Sequence, residues 1–250
     1  MTELLLSLFF ISVLLLFLST GVWVALSMIG VSAIAMTLFT SRPVGDAMAT
    51  TIWGTSSSWT LTALPLFVWM GEILFRTKLS ENLFEGLSPW MQKLPGGLIH
   101  VNVVGCALFA AISGSSAATV ATVGKMSIPE LRKRNYPEKI LLGSLAGSGT
   151  LGLLIPPSII LIIYGVTVQE SIAKLFVAGI IPGIMIALIF MGYVILWSLF
   201  NKKDMPSINN QYSFIDKVKK SGQLIPVIIL ILSVIGSIYT GIATATEAAS

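Results

Sequence analysis

The chain has 250 residues, of which 55% are hydrophobic and only 10% are charged. Soluble domains carry about 25% charged residues, so this composition excludes an ordinary water-soluble fold and predicts an all-α polytopic membrane protein. The net charge of +4 does not indicate nucleic-acid binding, because the basic residues fall in short loops between apolar runs, as the positive-inside rule describes. A single cysteine excludes a disulfide framework, and a single histidine leaves no Ser/His/Asp catalytic set.

The first third of the chain is predicted to form scaffold-type membrane helices. Leu4–Leu18 and Gly21–Phe39 are apolar runs separated by a tight turn or a kink, and Thr60–Phe75 is the next apolar span. The polar stretch Arg76–Pro95 is amphipathic, which is typical of a segment lying along the membrane surface. We therefore assign residues 1–76 to scaffold helices and residues 77–97 to an interfacial segment.

The segment Leu98–Val123 is apolar except at its centre, where small and hydroxylated residues replace the leucines of a lipid-facing helix. A turn at that depth is tolerated only inside protein or beside a water-filled cavity, because hydrocarbon cannot satisfy backbone groups. One interpretation is a re-entrant hairpin with arms Leu98–Ala111 and Ala117–Val123; the other is one continuous helix that packs closely. The candidate ion- or substrate-binding residues at the tip are Ser113, Gly114, Ser115, Ser116 and Thr119.

The positive charges favour the hairpin. If Leu98–Val123 crossed the membrane, the basic stretches Arg76–Lys93 and Lys125–Lys139 would face opposite sides. A re-entrant hairpin places both of them, together with Lys202–Lys220, in the cytoplasm, as the orientation rule prefers. Counting spans backwards then puts the N-terminus outside.

An interrupted helix is predicted over Ile140–Tyr164. Proline lacks an amide hydrogen and the residue before it avoids the helical region, so two half-helices with free carbonyls between them are expected. Such carbonyls suit a monovalent cation and half-helix N-termini suit an anionic group, although a proline kink used only for packing is the alternative. The interrupting residues are Gly147, Ser148, Gly149, Thr150, Pro156, Pro157 and Ser158.

The remaining chain continues the membrane pattern. Residues 98–164 form the predicted transport region, and residues 165–240 hold further membrane helices, with a short polar turn at Val166–Lys174, a clean span at Ile180–Phe200 and a basic cytoplasmic loop at 201–220. Residues 241–250 are again small and hydroxylated, as at the start of a second, oppositely oriented hairpin of an inverted repeat. Its candidate binding residues are Thr244, Thr246 and Glu247, the last being either a functional intramembrane carboxylate or a helix-start acid.

Four stretches together resemble the large membrane subunit (DctM-like) of tripartite ATP-independent periplasmic (TRAP) transporters. They are Leu64-Pro65-Leu66-Phe67-Val68-Trp69-Met70-Gly71, Ala107–Gly124, Leu154-Ile155-Pro156-Pro157-Ser158 and Gly241–Ala249. The family usually reads Thr-Pro-Thr-Glu near the second hairpin, whereas Ala245 stands in the place of that proline here. Family members are much longer, so a truncated product is expected.

The resemblance implies a non-enzymatic secondary transporter of the bacterial inner membrane with no cofactor other than a coupling sodium ion. An extracytoplasmic (DctP-like) binding protein would deliver a C4-dicarboxylate, sialic acid or sugar acid, and a small four-helix (DctQ-like) subunit would partner the large one in an elevator-type mechanism. Sodium contacts are expected among Ser113, Ser115, Ser116, Gly147 and Thr150. The alternatives are a single-component carboxylate symporter, an inactive fragment, or an intramembrane enzyme with a serine nucleophile, for which no base is visible.

Overall fold

The computed structural model describes residues 3–206 and 212–250, which fold into α-helices and short 3-10 turns with no β-strand among them. The prediction of an all-α protein is confirmed. The chain divides into two units, Met1–Ser58 and Trp59–Ser250. The helices are α1 (Glu3–Ser19), α2 (Val24–Phe39), α3 (Val44–Ser56), α4 (Ala63–Phe75), α5 (Leu79–Met91), α6 (Ile99–Ser113), α7 (Ser116–Lys133), α8 (Glu138–Gly149), α9 (Ile159–Val168), α10 (Ile172–Phe200), α11 (Phe214–Ser221), α12 (Ile225–Tyr239) and α13 (Ala245–Ala249).

The first unit is organised around a helical hairpin formed by α1 and α2. The chain turns at Gly21, whose φ of +79° is readily adopted only by glycine. The rings of Phe10 and Phe39 meet edge to face with centroids 5.7 Å apart, and the ring of Phe17 lies against Gly30. Of the two predicted possibilities, a tight turn rather than a kink therefore separates the two apolar runs.

The second unit contains two helical stretches long and apolar enough to cross a membrane, within the residues that the structure describes. They are α10, with 29 residues, and the stretch Phe214–Tyr239, with 26 residues, in which a 3-10 turn joins α11 to α12. The span predicted at Ile180–Phe200 begins earlier, at Ile172, so the predicted turn Val166–Lys174 was wrong in its extent. The turn shrinks because α9 ends in a left-handed residue, Gln169, and α10 starts immediately after Ser171.

Helices α6 and α7 form an antiparallel hairpin. Gly114 ends α6 with a φ of +60°, and the Oγ atom of Ser115 accepts a hydrogen bond from the amide of Ala118 to begin α7. Gly105 and Val123 are the same number of residues before and after Gly114 in the sequence, and they face each other in the structure. The chain therefore reverses at Gly114, which excludes the alternative of one continuous helix.

The second arm of this hairpin is longer than predicted. Helix α7 continues past Val123 to Lys133, so the first part of the stretch predicted as the basic loop Lys125–Lys139 is helical. An ion pair of 2.6 Å between Glu130 and Arg134, one turn apart, stabilises the end of this helix. After α7 the chain returns to the start of α6, where the amide of Leu98 donates a 3.1 Å hydrogen bond to the Tyr136 hydroxyl.

The interrupted helix is confirmed at its second predicted break and wrong at its first. Helix α8 runs without interruption through Gly147, Ser148 and Gly149, and the break comes after it, as a 3-10 turn at Thr150–Leu153 followed by Leu154–Ser158. The glycines remain helical because the ring of Phe190 packs against Gly147 and the side chain of Val120 packs against Gly149. The Ser148 hydroxyl also donates to the carbonyl of Ser144 at 2.6 Å, within the helix.

The three basic stretches lie at one end of the second unit. The indole N–H of Trp90 in α5 donates to the Ser221 hydroxyl in α11 at 2.8 Å, and the ammonium of Lys217 lies 5.3 Å from the centre of the same ring. The ammonium of Lys125 in α7 lies 5.4 Å from the ring of Phe75. The clustering on which the predicted membrane orientation depends is therefore present in the fold.

We expect Tyr136→Phe to lower the free energy of unfolding by about 1 kcal/mol, because it leaves the buried amide of Leu98 without an acceptor. Thermal unfolding of the purified protein in detergent measures the change. Tyr193→Phe is the matched control, since Tyr193 is 58% exposed. Equal melting temperatures for the two variants would show that the Tyr136 bond does not close the base of the hairpin.

Candidate functional site

Three of the four hydroxyl groups at the hairpin tip form hydrogen bonds within the tip. The hydroxyls of Ser113 and Thr119 are hydrogen bonded at 3.0 Å across the turn, and both residues are almost fully buried. The amide of Ser115 donates to Ser113 Oγ at 3.4 Å, while Ser115 Oγ caps α7. Ser and Thr side chains commonly satisfy helix ends in this way, so these three hydroxyls have a clear structural role.

Ser116 differs from its neighbours. Its Oγ atom is buried and has no hydrogen-bond partner among the described residues. A buried hydroxyl without a partner is costly, and each such group in a native fold calls for an explanation. Ser116 is the first residue of α7, so this unused oxygen lies at the point where the chain turns.

The tip packs directly on the break between α8 and α9. The amide of Ile159, the first residue of α9, donates a 3.3 Å hydrogen bond to the carbonyl of Gly114. A Cβ atom on Gly114 would lie 2.7 Å from the carbonyl oxygen of Pro157, and one on Gly152 would lie 2.8 Å from the amide nitrogen of Ser116. The backbones of the tip and of the break are in direct contact at these two positions, so both positions require glycine because no side chain fits between the backbones.

Two helix N-termini meet at this junction, that of α7 at Ser116 and that of α9 at Ile159. Helix N-termini carry partial positive charge and unpaired amide groups, so they favour anions. Backbone carbonyls also border the junction, including that of Pro157. The arrangement therefore combines features suited to an anionic group with oxygens suited to a hard cation.

Helix α4 forms a further wall of the tip. A Cβ atom on Gly71 would lie 3.2 Å from the Cα and Cβ atoms of Ser113, so the two helices approach closely at this glycine. Gly71, Gly152 and Ile159 were not among the predicted site residues. A signal for Gly71 was present in the sequence, since it ends the Leu64–Gly71 motif, whereas the close approach of Gly152 depends on tertiary packing.

Several predicted wall residues lie away from the tip. Gly147 faces α10, and the Thr150 side chain is exposed and donates to the carbonyl of Gly147 at 2.7 Å. Ser148 is buried between α8 and α6, where its hydroxyl lies 3.4 Å from the carbonyl of Asn102. Ser158, by contrast, lies in the break that contacts the tip, between Pro157 and Ile159, where it is fully buried and its hydroxyl donates to the carbonyl of Leu153 at 2.7 Å.

The Asn102 side chain joins the first hairpin arm to α8. Its Nδ2 atom donates to the hydroxyl of Ser144 at 3.0 Å and lies 3.3 Å from the carbonyl of Leu141. No group of three or more His, Cys, Asp or Glu side chains that could hold a metal ion occurs within the part of the chain that the structure describes.

The residues predicted to begin a second hairpin form a helix cap. The Thr244 hydroxyl accepts from the amide of Glu247 at 3.3 Å, and the Glu247 carboxylate accepts from the amide of Thr244 at 2.8 Å, which is a complete capping box. Glu247 is exposed, as expected for a helix-start acid, and Thr246 is buried. Helix α13 packs against α4, where Ala249 and Phe67 belong to the same apolar cluster.

We expect Gly152→Ala to destabilise the protein by about 1–3 kcal/mol, because the added methyl group would overlap the backbone of Ser115 and Ser116. Gly143→Ala is the matched control: it lies inside α8, and no described atom is within 4 Å of its Cβ position. The control is expected to be neutral or stabilising by up to about 1 kcal/mol. Thermal unfolding in detergent compares them, and a harmless Gly152→Ala would refute the tight contact between tip and break.

Comparison with known proteins identifies the family. Residues 11–250 match the family described as "Tripartite ATP-independent periplasmic transporter, DctM component". The chain is 34% identical over 218 residues to the C4-dicarboxylate TRAP transporter large permease protein DctM of Pseudomonas aeruginosa, which covers 87% of this chain and 50% of that protein. It is also 34% identical over 234 residues to the sialic acid TRAP transporter large permease protein SiaM of Vibrio cholerae, covering 92% of this chain and 53% of that protein.

A third relative is the isethionate TRAP transporter permease protein DctMQ of Oleidesulfovibrio alaskensis, 35% identical over 238 residues, covering 94% of this chain and 36% of that protein. The chain thus spans about half the length, or less, of these curated relatives. The family match extends over almost the whole chain and includes the hairpin tip, the helix break and α13. The chain belongs to the DctM family of TRAP transporter large permeases.

Proposed function

We propose that this chain forms part of the large permease of a TRAP transporter that uses a sodium gradient to take up an organic acid. The observation that carries the proposal is the junction in which the hydroxyl-bearing tip at Gly114 packs against the break before Ile159. Family membership supports the class of activity. Relatives named for C4-dicarboxylate, sialic acid and ectoine support a small organic acid as the substrate.

Sodium and substrate would use different groups at the junction. The unpartnered Ser116 hydroxyl and the nearby backbone carbonyls are the oxygens available for the cation. The N-termini of α7 and α9 would stabilise the carboxylate through their dipoles, which is consistent with the lack of an arginine at the tip. Ser115, which caps α7, and the hydrogen-bonded pair Ser113 and Thr119 would position these groups.

Family membership supports the proposed partners, and the positive-inside rule supports the proposed orientation. A small four-helix subunit and an extracytoplasmic binding protein would complete the transporter in the bacterial inner membrane, and the hairpin region would move as an elevator against a scaffold. The basic end of the second unit would face the cytoplasm, and the N-terminus would lie outside. Leu98–Lys133 would then enter and leave the membrane from the cytoplasmic side.

Uptake by the intact gene product tests the proposed sodium site. The protein is reconstituted in proteoliposomes with its small subunit and binding protein, and uptake of a radiolabelled organic acid is measured across a range of sodium concentrations. We expect Ser116→Ala to raise the sodium concentration for half-maximal uptake about tenfold, which corresponds to the loss of one strong oxygen contact. Ser233→Ala, which removes an exposed hydroxyl bonded within α12, is the control and should leave uptake unchanged.

Four outcomes would contradict parts of the proposal. Uptake that does not require sodium would refute sodium as the coupling ion. Uptake without the binding protein would favour a single-component symporter. A Ser116→Ala protein with unchanged sodium dependence removes this hydroxyl from the site. Failure of all preparations to transport any carboxylate would leave the family membership standing and refute the substrate class.

Single cysteines test the orientation of the hairpin. The only native cysteine, Cys106, is fully buried, so we expect little background labelling in intact cells and inverted vesicles. We expect Lys78→Cys and Lys133→Cys, exposed before and after the hairpin, to react with a membrane-impermeant maleimide only from the cytoplasmic side. Ile242→Cys, 82% exposed beyond α12, should react only from outside. Labelling of Lys78→Cys and Lys133→Cys from opposite sides would show that the hairpin crosses the membrane.

A further inference from the structure

A cavity of about 510 Å³ opens at the basic end of the second unit, between α5, α7 and α11. This volume falls within the range of small-molecule sites, about 300–1,000 Å³. Its lining combines charges of both signs with an apolar floor formed by Phe84, Met126 and Pro129. The charged and polar residues around it are Glu81, Glu85, Ser88, Lys125, Glu130, Arg134, Tyr212 and Lys220.

The charges of this cavity are only partly neutralised by the protein. Glu130 and Arg134 pair at 2.6 Å. The ammonium groups of Lys125 and Lys220 contact only aromatic rings, those of Phe75 and Tyr212, and no carboxylate among the described residues lies within ion-pair distance of either lysine. Two cationic groups thus remain available for an anionic partner.

The carboxylates of α5 that line the cavity also lack cationic partners. Glu81 has no ion-pair partner among the described residues, and Glu85 accepts one hydrogen bond, from the side chain of Gln223 at 2.8 Å. A carboxylate can accept several hydrogen bonds, so Glu85 keeps acceptor capacity. The cavity therefore presents unpaired ammonium groups on two helices and unpaired carboxylate oxygens on a third.

Helix α11 indicates where this cavity lies relative to lipid. Its apolar side chains Phe214, Ile215 and Val218 point outward and are 70%, 76% and 52% exposed, whereas Lys217 is buried over the ring of Trp90. This is the reverse of a helix facing water, and it is typical of a helix whose apolar face enters the boundary between headgroups and acyl chains. The cavity beside α11 then lies at headgroup level.

We propose that the cavity binds the headgroup of a membrane phospholipid that carries a primary ammonium group. Lys125 and Lys220 hold the phosphate, and Glu81 with Glu85 accepts hydrogen bonds from the ammonium. The apolar floor and the exposed face of α11 receive the glycerol backbone and the first part of the acyl chains. The site is independent of the transport site at the hairpin tip, which lies at the opposite end of α7.

Lipid retention by the purified, intact protein tests this site without any transport measurement. The protein is exchanged into nanodiscs that contain equal amounts of phosphatidylethanolamine, phosphatidylcholine and phosphatidylglycerol, and bound lipids are counted by native mass spectrometry. We expect Lys125→Gln and Lys220→Gln each to lower retention of phosphatidylethanolamine about fivefold, the upper range for an exposed charge pair. Lys125→Arg should restore retention, because it keeps the charge.

Matched variants separate this site from general attraction to lipid. Lys133→Gln and Lys139→Gln remove the same charge at the same end without lining the cavity, and they should retain lipid as the wild type does. Glu81→Gln should abolish the preference for phosphatidylethanolamine over its trimethylated analogue, which cannot donate hydrogen bonds. Equal losses in the control variants, preferential retention of phosphatidylglycerol, or unchanged retention in all variants would each overturn the proposal.

Discussion

The contact on which the hairpin and the broken helix both depend is the hydrogen bond from the amide of Ile159 to the carbonyl of Gly114. A hairpin turn and a broken helix each leave backbone groups outside regular hydrogen bonding, and hydrocarbon cannot satisfy such groups. The turn and the break are in contact, so a backbone amide of the break donates a hydrogen bond to a backbone carbonyl of the turn. The left-handed conformation of Gly114 and the missing side chain of Gly152 allow the backbones to approach, and any larger residue would separate them.

The two ends of the α6–α7 hairpin differ in their chemistry. At the tip, hydroxyls and helix N-termini are concentrated without a nearby formal charge, and most of the hydroxyls already cap or cross-link the hairpin. At the other end, the return of the chain to Tyr136 brings α7 back to the start of α6 and gathers the basic residues. A tip without formal charge is compatible with the reversible ion binding proposed above, whereas a strongly charged end is typical of a segment at the membrane surface.

The sequence predicted those features of the fold whose causes are local. Hydropathy indicated the membrane class, the small residues around Gly114 indicated the turn, and the missing amide hydrogens of Pro156 and Pro157 indicated the break. Packing decided the rest. Gly147 and Gly149 stay helical because Phe190 and Val120 cover them, which offsets their low helix propensity, and the approach of Gly152 to Ser116 joins distant parts of the chain. Sequence patterns identify a glycine, but they do not reveal which backbone it will touch.

The departure at Ala245 also has a physical explanation in the cap of α13. Thr244 is the N-cap and Glu247 is the third helical residue, so position 245 is the first residue of the helix. Proline is favoured at that position because it has no N–H group, and an N–H group there would lack a partner within the helix; alanine is tolerated there because of its high helix propensity. The Thr244–Glu247 capping box is complete without proline. Helix α13 therefore begins where the family pattern Thr-Pro-Thr-Glu would begin it, with Thr246 buried and Ala249 in the same apolar cluster as Phe67 of α4.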